Sequence, residues 1–167
     1  CTFQDLLKGT LEFGLVDGII LPNMSMKGEE ERCPFLNEEG RCRIHAFRPG
    51  FCRLFPLGRF YENRSFRYFL QIHECPRKNR TKVKVSRWID TPDVKAYEEF
   101  AARWHYFLKD TGECLGRRRD QALSKKVCMA VLERFYMTPY EGEFYPLFYS
   151  RLAEAEEQLA EWGIEIR

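Results

Sequence analysis

The stretch CPFLNEEGRCRIHAFRPGFCRLFPLGRF, residues 33–60, restricts the fold of this chain more than any other. NEEGR (37–41) and RPG (48–50) break the backbone too often for a long helix, so the segment is expected to fold as a series of turns. Three cysteines ride on it, Cys33, Cys42 and Cys52, and a fourth follows at Cys75. The eight, nine and 22 residues between them contain no C-x2-4-C knuckle of the kind that marks zinc fingers and ribbons. Four thiolates can still converge from separate turns. Four is the number that closes either a tetrahedral zinc site or the shell of an iron-sulfur cluster.

Covalent staples are not required to explain the cysteines. The chain has 167 residues, 44% of them hydrophobic and 15% aromatic, enough to bury a core of its own. Seven cysteines cannot all pair within one chain, and no signal-peptide pattern is present. The expectation is a reducing, cytoplasmic compartment, where clustered thiols act as ligands or catalysts more often than as bridges. The chain opens at Cys1 without an initiator Met, which points to a fragment or processed product rather than to a lipoprotein anchor or an N-terminal nucleophile. Apolar runs such as GLVDGIILP (14–22) are far shorter than the roughly 20 residues that span a bilayer, so a soluble chain with no membrane partner is expected.

The fold expected is α+β, a single domain over 1–167 with a β-rich, cysteine-bearing part (1–90) packed against a helical part (91–167). In LEFGLVDGIILPNM (11–24), Asp17-Gly18 joins two apolar runs and is the strongest two-residue hairpin signal, since both positions tolerate positive φ. Residues 54–73 read as a second hairpin around Glu62-Asn63-Arg64, with aromatic strand formers on both sides. The β portion is expected to end near Trp88. Thr91 as N-cap and Pro92 at the first helical position then begin a helix whose apolar stripe is Val94, Tyr97, Phe100, Ala101, Trp104 and Leu108. Two more helices are expected, about 121–137 with Val127, Met129, Val131, Leu132 and Phe135 inward, and about 144–162, where AEAEEQLAE suggests a solvent-facing surface. Cys114 and Cys128 fall in this helical part as core residues, not ligands.

Arginine placement favours thiolate chemistry. Arg32, Arg41, Arg43 and Arg53 fill four of the six positions flanking the first three cysteines, where 18 arginines in 167 residues would place fewer than one by chance. Four thiolates around zinc or an oxidised four-iron cluster carry about two net negative charges, which nearby cations offset. The rival reading is that these arginines only solvate turns. His45, three residues after Cys42, and His73, two before Cys75 on an expected strand, are near enough in sequence to ligate or brace the same centre; the rival for each is a partly buried His bonded to backbone. His105, in RWHYF, reads as structural.

Net charge is only +2, so no global field draws the chain to nucleic acid. The local basic stretch RKNRTKVKVSRW (77–88) would make a nucleic-acid surface with Trp88 as stacking platform. The alternation of Lys82, Val83, Lys84 and Val85 is better explained as an amphipathic edge strand guarded by lysines, and nucleic acid is a disfavoured partner.

The pattern C-P-F-L, G-x-C-x-I-H, R-P-x-x-C-R-x-F-P-L, followed by FLQIHEC, closely resembles the second half of the bacterial YkgJ-like cysteine-cluster family of zinc- or iron-chelating proteins. The resemblance covers about residues 11–108. It implies Cys33, Cys42, Cys52 and Cys75 as metal ligands, with His45, His73, Arg48 and Arg53 as candidates to brace them. The chain lacks the family's upstream CxxCxxCC run.

The resulting functional expectation is a metal-binding protein holding iron, as an iron-sulfur cluster, or zinc, with the cluster mildly favoured. The alternative is a metal-dependent enzyme modifying a peptide or lysine, since one branch of the family resembles flagellin lysine methylases. No G-x-G-x-x-G loop, hydrolase elbow or diagnostic carboxylate pair names a reaction. For that alternative, Tyr61, His73 and Glu74 are the residues to test.

Overall fold

The computed structural model describes residues 2–74 and 81–166. It is an α+β fold with two separate antiparallel hairpins and, among the described residues, six α-helices. Two compact units are present. One comprises Cys1–Arg41 and Phe107–Arg167, the other Cys42–Tyr106.

The first unit opens with α1 (Phe3–Leu7), a single turn closed by a capping box: Thr2 Oγ1 accepts from Asp5 N, and Asp5 Oδ2 accepts from Thr2 N at 3.0 Å. Those bonds, with Lys8 nearby, hold the Asp5 carboxyl below its ordinary pKa. Strands β1 (Leu11–Val16) and β2 (Ile19–Met24) follow, joined as expected by Asp17 (φ 50°) and Gly18 (φ 83°). Both turn residues are left-handed, the geometry that matches the twist of a two-residue hairpin. The pleat then sends Ile19 and Leu21 into the core while Ile20 stays partly exposed.

That core is helical. The later half of α4 (Val94–Arg118) contributes Phe107, Thr111 and Leu115. Thr111 is fully buried, and its hydroxyl donates to the Phe107 carbonyl at 2.7 Å, so it leaves no orphaned polar atom. Helix α5 (Gln121–Leu132) is capped by Asp120, which accepts from Leu123 N at 3.0 Å; a π turn, Glu133–Met137, extends it. Val127, Cys128, Val131, Leu132 and Phe135 point inward at helical spacing. Met129, expected with them, is instead 53% exposed, because two residues from Val127 is about 200° around the helix. Phe135 links Phe107 and Phe148, with ring centroids 5.8 and 5.7 Å apart.

Helix α6 (Phe144–Glu161) buries Phe148, Leu152, Ala155 and Leu159. The acidic run therefore covers only one face, and the expectation of a solvent-facing helix holds for the glutamates but not for Ala155 and Leu159. Its end is a Schellman motif. Gly163 N donates to Ala160 O at 2.8 Å, Ile164 N to Leu159 O at 2.8 Å, and Gly163 takes φ 75°. Ile164 is thereby folded back to full burial. Gly163→Ala combines left-handed strain with a contact on Arg118 Nη2 at 2.7 Å, and is expected to lower stability by about 1–2 kcal/mol in denaturant unfolding.

In the second unit, α2 (Gly50–Leu54) starts directly after Pro49. Strands β3 (Leu57–Glu62) and β4 (Ser65–Leu70) form the second expected hairpin, turning on Asn63 (φ 50°) and Arg64 (φ 59°). Leu57, Arg59 and Tyr61 share one face with Phe66, Tyr68 and Leu70 by register, and this face meets the first half of α4. Tyr61 stacks on His105 at 3.6 Å, and Tyr106 Oη donates to Ser65 O at 3.3 Å. The opposite face is exposed, with Arg67 over the Phe60 ring and bridged to Glu62 at 3.3 Å.

Two expectations fail here. Residues 81–84 form no strand, and Val85–Ile89 is instead a short helix, α3, whose Trp88 Nε1 donates to Phe55 O at 3.1 Å. Lysine–valine alternation becomes a strand only when it pairs with another strand, and among the described residues β3 and β4 pair only with each other while Val85 begins α3. Helix α4 begins at Val94, not at Pro92; Asp93 Oδ1 accepts from Ala96 N at 2.9 Å, so Asp93 takes the capping role assigned to Thr91.

Candidate metal centre

Each described cysteine of the set sits on or beside a tight turn, and the local sequence explains why. Lys27 and Arg32 exchange two backbone bonds at 2.8 Å around a left-handed Gly28 (φ 70°) and Glu31 (φ 48°), which delivers the chain to Cys33. Cys33 O then accepts from Leu36 N at 3.1 Å across Pro34-Phe35, a turn for which Pro at the second position is preorganised. Before Cys42, Asn37 closes the next turn twice over. Its carbonyl accepts from Gly40 N at 3.0 Å and its side chain accepts from Arg41 N at 2.7 Å. Cys52 lies in the middle of α2.

Cys33, Cys42 and Cys52 are all half-buried, while Cys114 and Cys128 are buried. Cys33 belongs to the first unit and Cys42 and Cys52 to the second. Cys75 lies outside the described residues. Among the described residues no three His, Cys, Asp or Glu side chains come together as a group that could hold a metal ion. Taken alone, then, the described donors do not make up the centre expected from the sequence.

The residues expected to brace the centre have definite partners. Arg48 Nη1 lies 2.9 Å from His45 Nε2. An arginine can only donate, so Nε2 is the acceptor and the imidazole proton sits on Nδ1. In this geometry the His45 Nε2 lone pair serves Arg48 rather than a metal. Arg53 reaches back from α2, donating from Nη1 to Asp90 O at 2.9 Å and from Nη2 to Ala46 O at 3.5 Å, with the Asp90 carboxylate at 3.6 Å. One guanidinium thus ties the helix that carries Cys52 to the 3-10 turn His45–Phe47 and to the end of α3.

His73 is not on a strand. β4 ends at Leu70, and His73 with Glu74 lies on an exposed turn closed by Glu74 N to Gln71 O at 3.3 Å. Tyr61, grouped with them as a residue to test, is on β3 against His105. Sequence reading missed the surroundings of Arg59, which shares the inward face of β3 with Leu57 and Tyr61. The period-2 alternation of that strand was the available signal.

Residues 8–76 match a family model named CxxCxxCC and described as "Putative zinc- or iron-chelating domain". No curated protein and no solved structure matches the chain. No helix among the described residues is long and apolar enough to cross a membrane. The matched segment contains Cys33, Cys42 and Cys52 and closes one residue beyond Cys75, and over residues 8–76 the chain is similar to this family of zinc- or iron-chelating domains.

Proposed function

We propose that Cys33, Cys42, Cys52 and Cys75 ligate one metal centre, and that this centre is an iron-sulfur cluster rather than a zinc ion. The observation that carries the reading is the extent of the family match, residues 8–76, which takes in all four cysteines. Supporting it, the three described cysteines are half-buried, Cys33 and Cys42 beside tight turns and Cys52 in the short helix α2, accessible enough to bind and sheltered enough to hold. Arg48 bonds His45 and Arg53 ties α2 to the 3-10 turn and to Asp90, so both stiffen residues 45–54, and positive charge in this segment would offset that of bound thiolates. The wide spacings, without a knuckle, suit a cluster cradle as well as a single ion, and leave zinc as the alternative.

Elemental analysis with an absorption spectrum of anaerobically purified protein tests the proposal. Iron with sulfide and a broad band near roughly 400 nm is the expected result. Stoichiometric zinc without colour keeps the ligand set and overturns the cluster. Absence of both metals, with reactive thiols at all four positions, overturns the chelation reading itself.

A further inference from the structure

Helix α2 carries an apolar stripe that the fold covers only in part. Phe51, Leu54 and Phe55 recur at the i, i+3, i+4 spacing of a core-facing helix. Leu54 is buried, whereas Phe51 and Phe55 are 80% and 51% exposed. All three line, with Leu57, Gly58 and Tyr61, part of a cavity of about 270 Å³ in the second unit. More apolar surface adjoins α2. Trp88, 44% exposed, donates from Nε1 to Phe55 O at 3.1 Å. Arg53 Nη2 reaches Ala46 O at 3.5 Å and so ties α2 to the 3-10 turn, whose Phe47 is 86% exposed. Single exposed apolar residues are ordinary, but four aromatic side chains left open on connected short elements mark a contact surface.

The charge of the same segment identifies the occupant. From Gly40 to Tyr61 the chain has five arginines, Arg41, Arg43, Arg48, Arg53 and Arg59, and not one Asp or Glu. Over the described residues of the second unit, 42–74 and 81–106, 11 Lys and Arg stand against six Asp and Glu. The open rings therefore lie in a positive field, which selects a partner rich in carboxylates or phosphates. Arg48 is bonded to His45, and Arg53 to the Asp90 and Ala46 carbonyls. These guanidinium groups act through their field more than as forks open to grip a phosphate backbone, which favours carboxylates. The cavity on the stripe receives a protruding side chain, as a flat lipid surface cannot provide.

We propose that the α2 surface of the second unit docks an acidic protein segment, with one large apolar side chain entering the cavity lined by Phe51, Leu54 and Phe55 and the flanking carboxylates lying in the arginine field. The volume sits at the small end for ligand pockets, the size that suits a single side chain. Aromatic anchors surrounded by complementary charge are the usual composition of such a contact, the rings supplying affinity and the charge specificity and on-rate. The proposal is independent of the metal reading, since none of these residues is among the cysteine ligands.

The probe is the capped peptide EELFEE, titrated into the full chain and followed by amide chemical shifts, with KKLFKK and EESSEE as controls that remove its charge or its apolar centre. Expected are saturable shifts centred on α2 and Trp88 and at least about tenfold weaker binding of either control, a comparison that needs no substitution. Raising the salt from about 0.05 M to about 0.5 M should weaken the complex about threefold or more. Phe51→Ser should lose about five- to tenfold, and because the ring is exposed its removal leaves the fold intact. Phe13→Ser, which removes a half-exposed ring from β1 of the first unit, should bind as the parent does. Equal affinity for the three peptides, unchanged binding in Phe51→Ser, or no shifts at about 5 mM peptide overturns the proposal. Displacement of the peptide by oligothymidylate, or by phosphatidylcholine vesicles with about one-fifth phosphatidylserine, overturns it as well and assigns the surface to nucleic acid or to lipid.

Discussion

Gly112→Ala is expected to destabilise the protein by about 2–3 kcal/mol, while Gly116→Ala, one helical turn later, stabilises it by about 0.5–1 kcal/mol. Both glycines lie in α4, where alanine is intrinsically the better residue by up to about 1 kcal/mol. At Gly116 that preference acts alone, because the position is exposed and a methyl there meets nothing within 4 Å. At Gly112 the helix backbone is buried against the β1–β2 turn, and a methyl would collide with the Asp17 carbonyl oxygen. That obstacle is backbone in a left-handed turn residue, not a side chain able to swing away. Relief requires moving the hairpin, whose Ile19 is fully buried immediately beyond the turn. Urea unfolding of the two variants beside the parent should show midpoints displaced in opposite directions. A Gly112→Ala protein as stable as the parent would show that the hairpin does not rest on α4 in this way.

Serine at Cys42 or Cys52 is expected to weaken metal binding by more than about 100-fold. Loss of groups that merely brace a ligand already costs 10–100-fold, and removing the ligand itself exceeds that. Serine at Cys33 or Cys75 should behave alike if the proposed set is right. Cys114→Ser and Cys128→Ser provide the contrast. Cys128 is 3% exposed and its Sγ accepts from Ile20 N at 3.3 Å, a packing and hydrogen-bonding role within the first unit. Metal content at these two positions should match the parent. The readout is bound metal per chain after a fixed challenge with chelator. Retention of full metal content in any single variant of the four removes that residue from the ligand set; equal losses in Cys114→Ser and Cys128→Ser would trace the effect to unfolding.

Much of the local structure was legible because it is decided over a few residues. Asp17-Gly18 produces a hairpin wherever it joins two strand-forming runs, since the required positive φ is affordable there, and the polar Glu62-Asn63-Arg64 between aromatic strand formers located the second turn, which falls on Asn63 and Arg64. Helices α4 and α5 were visible in their apolar residues, and α6 in the composition of AEAEEQLAE. The turns carrying Cys33 and Cys42 were likewise written in Pro34, Asn37 and Gly40. Errors arose where a partner distant in sequence decided the outcome. The Lys82–Val85 alternation pairs with no strand and gives way to α3 at Val85, and His73 lost its expected strand because β4 stops at Leu70.

By itself, then, the sequence determined the hairpins, the long helices, the turns at Cys33 and Cys42 and the similarity of residues 8–76 to a chelating-domain family, all properties of short windows or of a motif. Only the tertiary structure decided that His45 gives its Nε2 to Arg48, that Gly112 admits the Asp17 carbonyl, and that the Arg59 guanidinium lies between the Phe66 and Tyr97 rings. The reason is physical. Backbone propensity acts between neighbours, whereas the satisfaction of a buried polar atom depends on every element packed around it.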